Sequence, residues 1–130
     1  MDRAAGGRVP YGKELVLDLH GCNPEVFNRE DLGRFFKELC DLIDMERHDL
    51  YFWDYEEEQE EYDKAPDHLK GTSAIQFITT SNVTIHTLDV LRKVFINVFS
   101  CKEFDESVVI AFTSEWFDGK VVNKQVVMRL

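Results

Sequence analysis

The chain has 130 residues and a mass of 15.2 kDa, room for one domain built around one core. Apolar residues make up 44% and charged residues 31%, a globular rather than a disordered profile. The formal charge of −10 argues against nucleic acid or an anionic membrane surface as a partner, because both select for basic patches.

Residues 1–12 read as a flexible start with no apolar stretch of the kind a secretory signal needs. From Glu14 to His20 apolar and polar residues alternate, which predicts a strand, and Gly21-Cys22-Asn23-Pro24 turns the chain. Asn28 is a good helix N-cap, with Glu30 and Asp31 in the first turn behind it. Leu32, Phe35, Phe36, Leu39, Cys40 and Ile43 then recur at helical spacing, predicting an amphipathic helix from Arg29 to about Asp44. Leu50 to Tyr55 is a short aromatic strand candidate.

The charge sits where this strand leads. Between Asp44 and Asp67 there are 11 acids and two bases, whereas the rest of the chain is nearly neutral. The plain reading of residues 56–67 is a solvated acidic loop. Ser73 to Thr79 alternates, Thr80-Ser81-Asn82 is a polar step, and Val83 to Thr87 follows, so two strands are joined or bent near Ser81. Val94 to Ser100 is a further strand with Phe95, Asn97, Phe99 and Cys101 on one face. Asp105 to Asp118 fits either a strand (Val108 to Phe112) or a helix (Val108, Phe112, Trp116), and Val121 to Met128 closes the chain as a strand. The order β-α-β-β-β-(α or β)-β predicts an α+β fold, an antiparallel sheet with helices packed on one face.

No apolar run approaches the ~18 residues of a membrane span. Cys22, Cys40 and Cys101 are an odd number without a CxxC pair, so neither a disulfide framework nor a cysteine-rich metal site is expected. His20 and Cys22, two apart without a second pair nearby, make a weak metal signal, and no metal is expected. The compartment expected is the reducing cytoplasm. Gly-rich phosphate loops, HExxH and GxSxG are all absent from the sequence.

One constellation remains. Ser73-Ala-Ile-Gln-Phe-Ile-Thr-Thr-Ser81-Asn-Val-Thr-Ile-His86-Thr, followed by Val98-Phe-Ser-Cys101, resembles the bacterial and archaeal S-adenosylmethionine decarboxylases. That family carries a serine, eight residues later the serine of a Glu-Ser cleavage point, a histidine five beyond it, and a cysteine twenty beyond it. Ser73, Ser81, His86 and Cys101 reproduce all three intervals. The turn Gly21-Cys22-Asn23-Pro24 also looks like the family's Gly-Cys-Asp/Asn-Pro. Singly, a turn serine, a sheet histidine and a buried thiol are ordinary; their joint register is not. The resemblance spans residues 13–130 apart from the acidic segment.

The resemblance implies a self-cleaving lyase that makes its own electron sink. The Ser81 hydroxyl attacks the Thr80 carbonyl, β-elimination cuts the chain between Thr80 and Ser81, and a pyruvoyl group derived from Ser81 begins the new chain. The substrate amine condenses with that ketone as a Schiff base, and CO2 leaves. By resemblance, Ser73 and His86 assist processing and Cys101 returns the proton, a role suited to a thiol whose pKa lies near the working range. The implied reaction releases CO2 from S-adenosylmethionine for polyamine (spermidine) synthesis.

Were Ser73 to Ser81 one extended strand, its ends would stand about 26 Å apart at ~3.3 Å per residue. The two serines would then meet only across a two-fold interface, one protomer supplying Ser81 and Cys101, its partner Ser73 and His86. The family implies the same, a layered αββα dimer with the sheets inside and the helices outside, so an obligate homodimer or higher homo-oligomer is expected.

Departures from the family pattern bear on processing and substrate. Thr80 replaces the usual Glu, Asn82 a common His, and Thr84 a common Ser. Val90 stands where the family's ribose-gripping glutamate falls; Asp89 is adjacent but faces the opposite way on a strand. The adenine-stacking aromatic falls on Asp67, with His68 beside it. Either substitutes such as Phe52, Trp53 or Tyr55 hold the nucleoside, or the small cationic substrate is arginine or ornithine, with Asp67 facing its charged end. The remaining alternative is an unprocessed, non-catalytic paralogue.

Overall fold

A computed structural model describes residues 9–130 of the chain. Six strands form one antiparallel sheet: β1 (Gly12–His20), β2 (Arg47–Trp53), β3 (Gly71–Ile78), β4 (Ser81–Leu88), β5 (Lys93–Ser100) and β6 (Lys120–Arg129). Their spatial order is β2-β3-β4-β5-β1-β6. The helices are α1 (Arg29–Leu42), the short α2 (Gln59–Lys64) and α3 (Glu106–Phe117).

The alternation within β1 decides which face is covered. Leu15, Leu17 and Leu19 are fully buried, whereas Glu14, Val16 and Asp18 are partly open on the opposite face. Val83, Ile85, Val94, Ile96 and Val98 extend the buried face across β4 and β5. α1 lays Leu32, Phe35, Phe36, Leu39 and Cys40 into this core, started by the Asn28 side chain accepting from the Asp31 amide at 2.8 Å. Phe35 is the hub, with its ring centre 5.0–5.7 Å from those of Phe36, Phe112 and Phe117 and 5.9 Å from that of Trp116.

The ambiguous segment is helical. Asp105 caps α3 through the Ser107 amide at 2.9 Å, and Val109, Thr113 and Phe117 bury one face at i, i+4 and i+8. A strand would have placed Phe117 and Trp116 on opposite sides; the helix brings both to Phe35. The Leu50–Tyr55 candidate falls on β2, which begins earlier and ends at Trp53, so four strands rather than three lie between α1 and α3 in the chain. The acidic segment 56–67 is not merely a loop, because Gln59–Lys64 is helical and Tyr62 and Tyr55 pack edge-on at 5.4 Å.

Of the expected flexible start, residues 1–8 lie outside the described residues. Residues 11 and 12 belong to the sheet: the Tyr11 amide donates to the Arg129 carbonyl at 2.7 Å and Gly12 opens β1. Gly12 lies against the backbone of β5, and a Cβ there would overlap the Ser100 carbonyl oxygen.

Truncating the hub is the direct test of this packing. Phe35→Ala should lower the unfolding free energy by about 3–5 kcal/mol in a urea titration. A loss below about 1 kcal/mol would contradict the central place given to this ring.

Candidate active site

The site residues hang on one hairpin. Ile78 pairs with Ser81 across the two-residue turn Thr79-Thr80, and counting down the ladder pairs Ser73 with His86. The Ser73 hydroxyl and His86 Nδ1 lie 2.7 Å apart, a close hydrogen bond between cross-strand neighbours. Ser81, 6% exposed, sits at the opposite end, where its Oγ accepts from the Cys101 amide at 3.2 Å and lies 3.8 Å from the Cys101 sulfur.

The hairpin corrects the expected distance. Because the chain reverses at Thr79-Thr80, Ser73 and Ser81 are five strand steps apart, about 17 Å rather than about 26 Å. At about 17 Å the two serines of one chain still stand beyond the reach of their side chains. Each chain therefore carries two separate pairs of candidate residues, Ser73–His86 and Ser81–Cys101, each a candidate half-site.

The Ser73–His86 half-site lies beside an aromatic hollow of about 340 Å³ lined by Trp53, Tyr55, His68 and Phe95. Trp53 is 61% exposed, a large ring left open to solvent. Of the tentative binding residues, only His68 lines this hollow; Asp67 is exposed and does not. Asp89 lies in the turn just past β4 and lines a different hollow, where Tyr62 donates to it at 2.8 Å and burial pushes its carboxyl up. Val90 is exposed beside it.

The Ser81–Cys101 half-site is built differently. Cys101 borders a cleft of about 540 Å³ with Tyr11, Lys13 and Met128. Its thiol is held below the ordinary thiol range, chiefly by the Thr80 hydroxyl at 3.2 Å and then by the hydroxyls of Ser81 and Tyr11. The other two thiols go the opposite way, burial pushing Cys22 and Cys40 up to about 11. Cys22 packs against Gly119, and among the described residues no group of three metal-ligating side chains gathers around it or elsewhere.

Lys13 locks the loop that carries Cys101. It is buried beneath β5 and the loop, bonded to Glu103, to the Phe104 carbonyl at 2.5 Å and to Glu106 at 2.9 Å. Burial alone would lower its pKa; the bonds from Glu103 and Glu106 outweigh that and raise it. Sequence reasoning missed Lys13 and Tyr11. The signal for Lys13 was present, a lysine in phase with Leu15, Leu17 and Leu19 on the buried side of β1.

Thr80 itself is strained. Five non-glycine residues among those described have positive φ, and Thr80, at 54°, is the one that is β-branched. The left-handed conformation costs such a residue on the order of 1–2 kcal/mol. This strain sits on the residue whose carbonyl Ser81 would attack.

Comparisons with known proteins identify the family and the fold. The family model for S-adenosylmethionine decarboxylase matches residues 13–130. An S-adenosylmethionine decarboxylase proenzyme of Clostridium botulinum (strain Langeland) is 28% identical over 120 residues, covering 91% of this chain and 93% of the relative. That of strain Loch Maree is 28% identical over 106 residues, covering 80% and 81%. The crystal structure of the adenosylmethionine decarboxylase from Aquifex aeolicus VF5 superposes with a TM-score of 0.72 over 92% of this chain and 91% of that one, at 15% identity, and shares the fold. The family model and these relatives define a decarboxylase, a carboxy-lyase. The chain belongs to the S-adenosylmethionine decarboxylase family.

The thiol assignments predict selective alkylation. Treated with iodoacetamide in its folded state, the protein should be modified first at Cys101, with a pH midpoint below that of an ordinary thiol. Peptide mass mapping that found Cys22 or Cys40 modified ahead of Cys101 would contradict the assignment.

Proposed function

We propose that the protein is a self-cleaving, pyruvoyl-dependent S-adenosylmethionine decarboxylase that works as a homodimer with sites shared across its interface. The observation that carries this is the placement of the Ser73–His86 and Ser81–Cys101 pairs at opposite ends of one hairpin, each incomplete alone. Two copies stacked face to face with reversed strands would bring the end of one hairpin over the complementary end of the other. The helix-free sheet face suits such stacking, since it leaves Tyr51, Ile75 and Phe77 exposed.

In processing, the Ser81 Oγ bonds to the Thr80 carbonyl carbon, the carbon–nitrogen bond breaks, and the hydroxyl proton passes to the freed amine. The partner's Ser73–His86 pair is the acid–base couple placed to move that proton. Loss of the Ser81 Cα proton then expels the Thr80 carboxylate, and water replaces the nitrogen as ammonia, leaving a ketone. Ser81 fits as the source of this group: it is buried at a strand end and held by the Cys101 amide, with its scissile neighbour strained. The pyruvoyl group supplies the electron sink for the carbanion left when CO2 departs. Cys101, positioned by the Lys13-anchored loop, holds the proton that this carbon receives.

The lining of the hollow favours a nucleoside substrate over a plain basic amino acid. Trp53, Tyr55, His68 and Phe95 offer stacking surfaces, whereas no carboxylate lines the same hollow. The acidic stretch 56–67 lies close by and gives a cationic sulfonium compound a favourable field. No helix among the described residues is long and apolar enough to cross a membrane. A working thiol at Cys101 suits the reducing cytoplasm, where we place the protein.

Denaturing mass spectrometry tests the processing. The purified protein should give two fragments meeting at Thr80 and Ser81, the smaller with a blocked N-terminus, and Ser81→Ala should remain whole. Labelled S-adenosylmethionine, arginine and ornithine supplied in parallel should release CO2 from the first. An intact wild-type chain of 15.2 kDa would favour the non-catalytic paralogue. Release from arginine or ornithine alone would reassign the substrate.

A further inference from the structure

We propose that Thr80 is a positioning residue of the uncleaved chain, its left-handed backbone loading the peptide bond to be cut and its hydroxyl holding the Cys101 sulfur. This rests on cleavage between Thr80 and Ser81, as proposed above. Three features of the turn carry it.

The first is conformational. A two-residue turn needing positive φ is ordinarily filled by glycine, asparagine or aspartate, and here a β-branched residue occupies it. Among the described residues, the other four non-glycine residues with positive φ are Asp44, Glu57, Arg92 and Asp118, all unbranched at Cβ. The strained residue thus coincides with the acyl side of the scissile bond. When the Thr80 carbon–Ser81 nitrogen bond breaks, Thr80 becomes a chain end free to leave the left-handed basin. The reaction releases the strain, which the intact chain alone carries.

The second is how the turn is held. Thr79 Oγ1 donates to Glu46 at 3.2 Å and lies 2.9 Å from His48 Nε2, so β2 restrains the residue before Thr80. Ile78 and Ser81 restrain it from both sides through the β3–β4 ladder. The surrounding sheet over-determines the turn, which is the condition under which backbone strain persists.

The third is the side chain. Thr80 Oγ1 lies 2.8 Å from the Thr79 carbonyl and 3.2 Å from the Cys101 sulfur. With a protonated thiol, the hydroxyl donates to the carbonyl and accepts from sulfur; with a thiolate it turns and donates to sulfur. One side chain therefore couples the scissile turn to the thiol, a contact that the usual glutamate, as a carboxylate without a proton, does not reproduce by donation.

Two variants separate the roles. Thr80→Gly removes the strain and the hydroxyl, while Thr80→Val keeps the branching and removes only the hydroxyl. In cell-free synthesis followed by a gel time course of the full chain, T80G should cleave about tenfold more slowly than wild type and T80V within about threefold of it. T80G should melt no lower than wild type, since glycine fits the turn. For the hydroxyl, the uncleaved S81A chain and its T80V/S81A counterpart are alkylated across pH. The second should need a higher pH for half-maximal rate at Cys101.

T80G cleaving as fast as wild type, T80V slowing as much as T80G, or T80G melting well below wild type would each overturn the strain role. An unmoved alkylation midpoint would overturn the hydroxyl role. A wild-type chain that never cleaves would instead remove the processing reading on which both rest.

Discussion

The two-residue turn at Thr79-Thr80 is the constraint on which the rest of the site depends. It sets Ile78 opposite Ser81, and the antiparallel ladder then has no freedom left: Ser73 must face His86. A one-residue slip would send Ser73, Ile75 and Phe77 to the helix side and expose Ala74, Gln76 and Ile78. The buried face forbids this, so hydrophobic burial beneath β3 and β4 holds Ser73 and His86 in register on the opposite surface.

The two half-sites are supported in different ways. Ser73 and His86 need only the sheet, because both lie within strands, near the open end of the hairpin, and their hydrogen bond runs across one rung. Cys101 lies just past the end of β5, where no ladder positions it. Lys13 does this from below, joining the loop's Glu103 and Phe104 carbonyl to Glu106 in the first turn of α3. A buried lysine is tolerable there because oxygen partners surround it, and its burial ties loop, helix and β1 together. Thr80 and Tyr11 then tune the thiol from the solvent side.

Much of this was legible in the sequence. The spacing of Ser73, Ser81, His86 and Cys101 singled out the four side chains that the structure gathers into two pairs, and the alternation on either side of Ser81 implied two strands meeting there. The α1 stripe and its Asn28 cap were equally plain. α3 was not, because Val108-Val109-Ile110 favours strands locally while Val109, Thr113 and Phe117 fit a helix. The Asp105 cap with Ser107 tips the balance, and Phe35 supplies the packing surface. Distance in space was illegible for a different reason: counting residues assumes the chain continues straight, and a two-residue turn shortens 26 Å to about 17 Å. Substrate contacts were the hardest. Asp67 is near in sequence but does not line the hollow, while Trp53 and Phe95 reach it from strands on either side of the β3–β4 hairpin.

The central claim is that two copies complete each other's sites. Mixing by co-expression tests it without reference to the substrate's fine contacts. His86→Ala and Cys101→Ala should each be inactive alone, since each damages both sites of its own homodimer. Co-expressed, random pairing makes half the dimers mixed, and each mixed dimer holds one undamaged site and one doubly damaged one. Decarboxylase activity should therefore return to about a quarter of the wild-type level. If the co-expressed pair stayed as inactive as either variant alone while mixed dimers formed, the half-sites would have to work within a single chain, and the shared-site account would be wrong.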